Sequence, residues 1–510
     1  MEILISNVKP QFPMFTDASI QEINDALISS QQAFEQYRLL DLKQRADFLW
    51  AIAEELNQIS SQLIETAAGE THLEKPRLET ELTRTIFQLT SYGQACAEGS
   101  WLDIRIDTGD INRTPPKPDL RKILVPLGPV IVFGASNFPF AYSTAGGDSA
   151  CALAAGCSVI VKAHPAHAET SEMVANAVKK AAKKKGLPDG IFIHIHGAGF
   201  EVGKALVQHP LTRAVGFTGS FEGGKALFDI ANQRPIPIPV FSEMGSVNPV
   251  FILPGKLKSE TDKIASMYAA SITQSAGQFC TNPGVLVAIE GDELDQFIAL
   301  LGEKIEATKP VKMLHKGIAR SFQTKRKVAL AQSDVTVAAE TLDEADEDES
   351  IPTLAITKGS AFLKNPLLHK EVFGPYSILV KCSDHQQLLD VARSMEGQLT
   401  TSLIATTNEV GQHQQLVSVL KDICGRFVLN GVPTGVEVAL SMQHGGPFPA
   451  TTDSRYTAVG ADGIRRFARP ICFQGWPDEL LPLELQNANP LNLWRTVNNQ
   501  LTKNPIILHS

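Results

Sequence analysis

The chain changes character at 123-ILVPLGPVIVFGASNFPF-140, where runs rich in Val and Ile stop at a Gly-Ala-Ser-Asn turn. From here on, short solid apolar runs, SVIVKAH (158–164), IFIHIHG (191–197) and AVGFTGS (214–220), alternate with helical stretches. The helical stretches are GGDSACALAAG (146–156), TSEMVANAVKKAAKKKG (170–186) and GKALVQHP (203–210). A strand buried on both faces reads as a continuous apolar run, and strict strand–helix succession predicts an α/β fold with a doubly wound parallel sheet. Such sheets bind ligands at the carboxyl ends of their strands. That places Asn137 on the ligand edge, where its bland alternative is an ordinary turn residue.

Upstream, 20-IQEINDALISSQQAFEQY-37 and 45-RADFLWAIAEELNQISSQLIE-65 repeat apolar residues at helical spacing, so 17–67 is read as helices, the first capped by Asp17. The lysines of KKAAKKKG are read as a solvated last turn ended by Gly186, where the helix dipole favours cations. Downstream, a second αβ series runs from DKIASMYAASITQSAGQFC (262–280) through GVLVAIE and FQTKRKVALAQ to YSILVKC (376–382) and TSLIATT (401–407). The acidic 340-ETLDEADEDES-350 is an exposed turn. Two polar, proline-punctuated segments, 113–122 and 483–505, read as arms leaving the body.

At 510 residues, with 43% hydrophobic and 20% charged, the chain has ample core for several domains. A net charge of −9 and the lack of a basic, aromatic-interleaved stripe argue against nucleic acid as a partner. The opening MEILISNVKPQ does not read as a signal peptide, and no apolar run reaches the roughly 18 residues of a membrane span, so no membrane insertion and a cytoplasmic location are expected. Seven scattered cysteines without a CxxC suit reduced thiols, and no metal is expected.

One of those cysteines stands apart. In 276-AGQFCTNPG-284, Cys280 sits among glycines and polar residues, a mobile and polar setting unlike that of a structural cysteine. A reactive thiol needs a base or donors nearby. Glu243, in PVFSEMGSVNPVFI, follows a strand and enters a turn; it is either a general base or a lysine's partner. In 216-GFTGSFEGGKALF-228, Gly219, Ser220, Gly223 and Gly224 lie between strand and helix, where free N–H groups attract phosphate.

Taken together with VIVKAHPAH and KEVFGPYSIL, these stretches closely resemble the aldehyde dehydrogenase superfamily, nearly end to end and in the family's order. The resemblance implies that Cys280 is the nucleophile and that Asn137, with the Cys280 backbone N–H, holds the oxyanion. Hydride passes to a nicotinamide, and Glu243 activates the water that resolves the thioester. It also implies Lys162 on the adenosine ribose, Ser220 in its Gly219–Gly224 turn on the pyrophosphate, Glu371 on the nicotinamide ribose and Phe373 beside the ring. Phe138, Tyr142, Phe279 and Thr281 would line the aldehyde tunnel.

Two positions depart from the family pattern. Members that prefer NAD commonly carry a glutamate where this chain has Pro165, which leans the reading toward NADP, with NAD possible; yet Phe200 stands where an NADP-using relative has an arginine. Ser246 replaces a glycine in EMGS and is expected to alter how freely Glu243 moves.

Within the superfamily, 136–168 and 442-MQHGGPFPATTDSRYTAVG-460 are most similar to dioxovalerate (α-ketoglutaric semialdehyde) dehydrogenases and to the fatty aldehyde dehydrogenase of luminous bacteria. The first implies oxidation of 2,5-dioxopentanoate to 2-oxoglutarate, with Arg84 or Arg455 as the cation for its carboxylate; the second implies a long-chain aldehyde. The implied organisation is a Rossmann-like cofactor domain (1–104 and 124–244), a catalytic α/β domain (245–455) and a small β oligomerisation element (105–123 and 456–510), in a homodimer or homotetramer. A coenzyme A-acylating dehydrogenase would share the thioester. A cysteine hydrolase or acyltransferase would want a histidine base, and none of the twelve histidines sits in a motif.

Overall fold

The computed structural model describes residues 15–507, so the opening MEILISNVKPQ lies outside the described residues. Four helices lead: α1 (Ile20–Tyr37), α2 (Leu42–Gln58), α3 (Ser60–Thr71) and α4 (Lys75–Glu98). Ser19, not Asp17, caps α1: its hydroxyl accepts the Glu22 N–H while the Glu22 carboxylate accepts the Ser19 N–H. This reciprocal box satisfies two orphan donors at once. Asp17 instead accepts the Ala198 N–H at 2.7 Å.

Next come β1 (Arg105–Asp107) and β2 (Leu120–Pro126), then an alternating series: β3 (Val130–Phe133), α5 (Gly147–Ala155), β4 (Val159–Lys162), α6 (Ala168–Lys184) and β5 (Phe192–Ile195). It continues through α7 (Phe200–Gln208), β6 (Ala214–Thr218), α8 (Phe221–Asn232) and β7 (Val240–Glu243). Strands β3 to β7 form one parallel sheet in the order β5-β4-β3-β6-β7. Val130 and Val132 of β3 enter one apolar cluster, Ile131 and Phe133 the cluster on the other face, as a doubly covered strand requires. The chain leaves β3 toward β4 on one side and returns to β6 on the other, which opens a crevice at the strand ends.

The lysines at the end of α6 are exposed, as a solvated last turn requires, and Gly186 follows in the left-handed region with φ 68°. Lys180 and Lys184 both bond Glu55 of α2, whose side chain is 2% exposed. A carboxylate so buried needs paired charge, and the two lysines supply it.

The second body has seven strands: β8 (Val250–Ile252), β9 (Val285–Ile289), β10 (Val335–Glu340), β11 (Thr353–Lys358), β12 (Tyr376–Cys382), β13 (Gln398–Ile404) and β14 (Cys424–Leu429), with α9 (Pro254–Thr273) after the first. Their order is β10-β11-β12-β9-β8-β13-β14, parallel except for the β10–β11 edge pair. Val285 and Val287 face one core cluster, Leu286 and Ala288 the other. The acidic segment joins β10 to β11 along the surface. Finally β15 (Ala468–Gln474), β16 (Arg495–Val497) and β17 (Gln500–Thr502) pair with the early strands in the order β15-β2-β1-β16-β17, so the two arms form one sheet. No helix among the described residues is long and apolar enough to cross a membrane.

Candidate active site

Adjacent strand ends deliver the site. The turn after β3 carries Asn137, β6 runs into Gly219 and Ser220, and β7 ends at Glu243. The Gly219 N–H donates to the Glu243 carbonyl at 3.1 Å, tying the two turns together. Ser220 caps α8, its hydroxyl accepting the Gly223 N–H at 3.1 Å. A Cβ on Gly224 would lie 2.7 Å from Met244 Cγ, so this glycine is what lets α8 close on the EMGS turn.

The nucleophile loop, expected to be mobile, is pinned. Ser275, Ala276 and Gly277 are consecutive left-handed residues with φ of 49°, 55° and 62°. For the two that are not glycine this costs about 1–2 kcal/mol each. Side-chain amides offset it: Asn248 Nδ2 donates to the Cys280 and Asn282 carbonyls at 2.9 Å, and Asn282 Nδ2 to the Gly374 carbonyl at 3.1 Å. Cys280 emerges half-buried from this support.

Across from it stands a residue that no sequence motif flagged. His444 Nε2 lies 3.8 Å from Cys280 Sγ and 2.9 Å from Glu243 Oε1, with both partners of that second contact almost fully buried. The 444–458 segment brings it there: the His444 N–H donates to Thr457 Oγ1 at 2.9 Å, the His444 carbonyl accepts from Ala458, and residue 451 bridges to Glu243. Glu243 Oε2 and His444 Nδ1 are buried without partners. Burial first, and then the Glu243 carboxylate, push the Cys280 thiol well above its ordinary value. The resting nucleophile is therefore a thiol with an acceptor for its proton beside it, not a standing thiolate.

Phe138, Tyr142, Phe279, Cys280, Thr281 and Arg84 all line a cavity of about 520 Å³. Asn137 Nδ2 donates to the Gln278 carbonyl at 3.1 Å, aiming the amide at the nucleophile loop. Arg455 is not part of this cavity; it projects into solvent, paired with Asp453 two residues away at 2.6 Å. Arg77 and Glu81 of α4, unnoticed in the sequence, stiffen the wall. Arg77 donates to the Asn137 carbonyl at 2.7 Å, and Glu81 accepts the Phe140 and Ala141 N–H groups at 2.8 and 3.0 Å.

A second cleft, of about 510 Å³, opens at the start of α8 and reaches Gly245 and Glu371. Glu371 is half-buried, has no ion pair among the described residues, accepts the Ser246 N–H, and is pushed up to about 7 by loss of solvent around it. A Cβ on Gly245 would collide with its carboxylate. Phe373 and Phe279 line a small void between this cleft and the nucleophile loop. Ser246 does not face Glu243: its hydroxyl bonds Gln398 Oε1 at 2.9 Å and accepts the Leu399 N–H at 3.1 Å, fastening the EMGS turn to β13. A helix start with free N–H groups, a bare-glycine wall and an unpaired carboxyl fit the phosphates and ribose of a dinucleotide.

Lys162 ends β4, in register with Ile195 of β5, and Pro165 begins a single turn just beyond. The segment 15–18 folds over the neighbouring turn, with Phe15 stacked on His196 at 4.0 Å and the Ala18 N–H on the His196 carbonyl. This brings the Asp17 charge to bear on half-buried Lys162, a carboxylate that sequence alone did not place there. Two groups of donors have metal-like spacing, with ligating atoms within 4.8 Å: Glu243, Cys280 and His444, and Glu172, His194 and His196.

A half-buried cysteine with a buried acid and imidazole, set between a dinucleotide-type sheet and a second α/β body, defines an oxidoreductase that works through a covalent thiol intermediate. The chain belongs to the aldehyde dehydrogenase family, whose model matches residues 11–447, and it oxidises aldehydes with a nicotinamide dinucleotide. It is 43% identical to the α-ketoglutaric semialdehyde dehydrogenase of Acinetobacter baylyi over 98% of this chain and 95% of that one. It is 45% identical to α-ketoglutaric semialdehyde dehydrogenase 2 of Azospirillum brasilense over 95% and 92%. Among solved structures, a 1-pyrroline-5-carboxylate dehydrogenase superposes with TM-score 0.77 at 20% identity, covering 90% of this chain and 86% of that one. A glyceraldehyde-3-phosphate dehydrogenase from Methanocaldococcus jannaschii, complexed with NADP, gives 0.76 at 18%, covering 90% and 92%.

Proposed function

We propose that the enzyme oxidises 2,5-dioxopentanoate to 2-oxoglutarate. The observation that carries this reading is the 43–45% identity, over nearly the whole chain, to two enzymes named for that semialdehyde. Cys280 loses its proton to Glu243, whose Oε1 is held by His444 while Oε2 stays free. The sulfur bonds the aldehyde carbon, and the carbonyl oxygen becomes an oxyanion held by the Asn137 amide and the Cys280 N–H. A nicotinamide dinucleotide held by Lys162, Ser220 and Glu371 would supply the hydride acceptor. Glu243 gives that first proton up to solvent and, ionised again, takes a proton from the water that attacks the remaining Cys280 thioester; the carbon–sulfur bond breaks, the carboxylic acid leaves, and the thiolate regains a proton from Glu243. Water rather than coenzyme A is the acceptor this arrangement supports, because a base and an imidazole already face the sulfur. The same imidazole meets a cysteine hydrolase's need for a histidine base, but a hydrolase has no use for the dinucleotide cleft.

Ser220 with Gly219 would hold the pyrophosphate, Lys162 the adenosine ribose and Glu371 the nicotinamide ribose, with Phe373 near the ring. Pro165 leaves a 2′-phosphate unrepelled, Lys162 attracts it and Asp17 opposes it, so both cofactors are used with a modest lean to NADP. The C-terminal tail carries exposed Trp476, Leu480 and Trp494 beside the arm-and-tail sheet and Leu501 on its strand β17, which supports a homo-oligomer joined there, in a cytoplasmic enzyme. The test is to assay purified protein with NAD and NADP on 2,5-dioxopentanoate, pentanal and decanal, with and without coenzyme A, and to identify the product. 2-Oxoglutarate formed without coenzyme A is expected; an acyl-coenzyme A product, or a preference for decanal, overturns the reading. Glu243→Gln and His444→Gln belong in the same experiment. The Glu243→Gln enzyme should release at most one equivalent of reduced cofactor per site and then stop, whereas steady turnover at the wild-type rate would remove Glu243 from the mechanism.

A further inference from the structure

Helix α4 presents Arg77, Glu81 and Arg84 to the substrate cavity at i, i+4 and i+7, one face of the helix. The three are not equivalent. Arg77 is consumed by structure: it pairs with Glu81 at 3.2 Å, donates to the Asn137 carbonyl, and lies over the Phe138 and Phe279 rings at 4.8 and 5.6 Å. Glu81 spends its other oxygen on the Phe140 and Ala141 N–H groups. One acid between two guanidinium groups leaves a single positive charge uncompensated, and it falls on Arg84.

Arg84 has no carboxylate within ion-pair distance among the described residues. Its neighbours are neutral: Nη1 donates to the Val436 carbonyl and Nη2 lies 3.4 Å from Tyr142 Oη. Those contacts fix the plane of the guanidinium without spending its charge. The loop that supplies Val436 is itself held by Arg426, which donates to the Gly435 carbonyl at 2.7 Å and to the Pro433 carbonyl. From Arg84 the route to the nucleophile runs past two rings, those of Tyr142 and His444. The Tyr142 ring sits 6.1 Å from that of His444, which contacts Cys280.

We propose that Arg84 is the specificity-determining residue that anchors the far carboxylate of the substrate, so that a short carboxylated aldehyde spans from this guanidinium to Cys280 past the collar of Phe138, Tyr142 and Phe279. A preorganised guanidinium with both ends tethered meets a carboxylate in a fixed geometry, which a neutral chain end cannot exploit. This inference rests on the carboxylated-aldehyde reading of the function and assigns the recognition of that substrate to one side chain.

The test compares kcat/KM for 2,5-dioxopentanoate and for pentanal in the full-length enzyme, its Arg84→Gln and its Arg84→Lys variants, at saturating cofactor. The charged-to-neutral ratio should fall at least tenfold in Arg84→Gln, through KM for the charged substrate, and recover in part in Arg84→Lys, as expected on losing a charge-assisted bond. Glutarate should inhibit the wild type competitively while pentanol does not, a measurement that needs no variant. Loss of both activities in equal proportion, an unchanged ratio, or no competition by glutarate overturns the assignment of Arg84 while leaving the wild-type substrate preference standing. A wild type that does not prefer the carboxylated aldehyde removes the functional reading, and the anchor with it.

Discussion

The role proposed for Glu371 would tie cofactor binding to pH through a single half-buried group. Burial raises its carboxyl to about 7, and the ribose hydroxyls it is assigned to hold need an acceptor, the ionised form. As pH falls through 7 the carboxyl gains a proton and ceases to accept from both hydroxyls. The KM for cofactor should therefore climb between pH 8 and 6, and Glu371→Gln should flatten that profile; an equal slope in the variant removes the role. The linkage to folding has the opposite sense. Because the folded value lies above the ordinary 4.5, the folded state holds the proton more tightly, and this residue's contribution to stability is lost as pH rises from about 4.5 through 7. Cys280, Glu243 and Asn137 could be singled out as residue types in suggestive turns. His444 could not, because nothing next to it in the chain says that it will face a sulfur 164 positions away.

At the scale of elements, the segment that presents the nucleophile is held by packing at one glycine. Gly277 has φ +62°, and a Cβ there would overlap the Gly374 carbonyl, so backbone meets backbone with no side chain to yield. Gly277→Ala should lower stability by about 1–3 kcal/mol and kcat by more than tenfold, since the strain is relieved only by moving the turn that aims Cys280. Thermal unfolding and single-turnover kinetics check both parts; an unchanged kcat would show that the turn does not position the sulfur. The arm of α4 works similarly, with Arg77 and Glu81 bracing the turn that carries Asn137. Neither residue falls within 17–67, the stretch read as helical from sequence, and periodicity in any case reports which residues share a face and not what that face meets.

For the molecule as a whole, exposed apolar residues are spread over many elements, and several of them, Trp476, Leu480, Leu483, Trp494 and Leu501, lie along the C-terminal tail that completes the sheet of β1, β2, β15, β16 and β17. Leu501, 69% exposed on edge strand β17, is placed to test whether that sheet joins copies of the chain. Leu501→Glu should shift the solution mass to a smaller species by light scattering, with aldehyde oxidation retained in proportion to folded protein; an unaltered mass would place the interface elsewhere. Distant segments converge here, since residues 105–107 pair with 495–497 across most of the chain length. The polar, proline-punctuated composition marked both as arms, but it carried no information on their partners.

What the sequence determined by itself is what short-range chemistry dictates. The switch from helical to strand patterning at residue 123, the glycine turn at 216–224 and the cysteine in its glycine-proline setting each follow from neighbours a few positions apart. Even here a local rule had rivals, and Ser19 displaced Asp17 because only serine had a glutamate three residues on to complete the box. Tertiary structure decided the rest: that His444 meets Cys280, that Asp17 reaches the field of Lys162, and that Glu81 neutralises Arg77 and leaves Arg84 charged. Charges and protons act through space, so their partners are set by how sheets and loops fold back on one another, and no spacing along the chain records that.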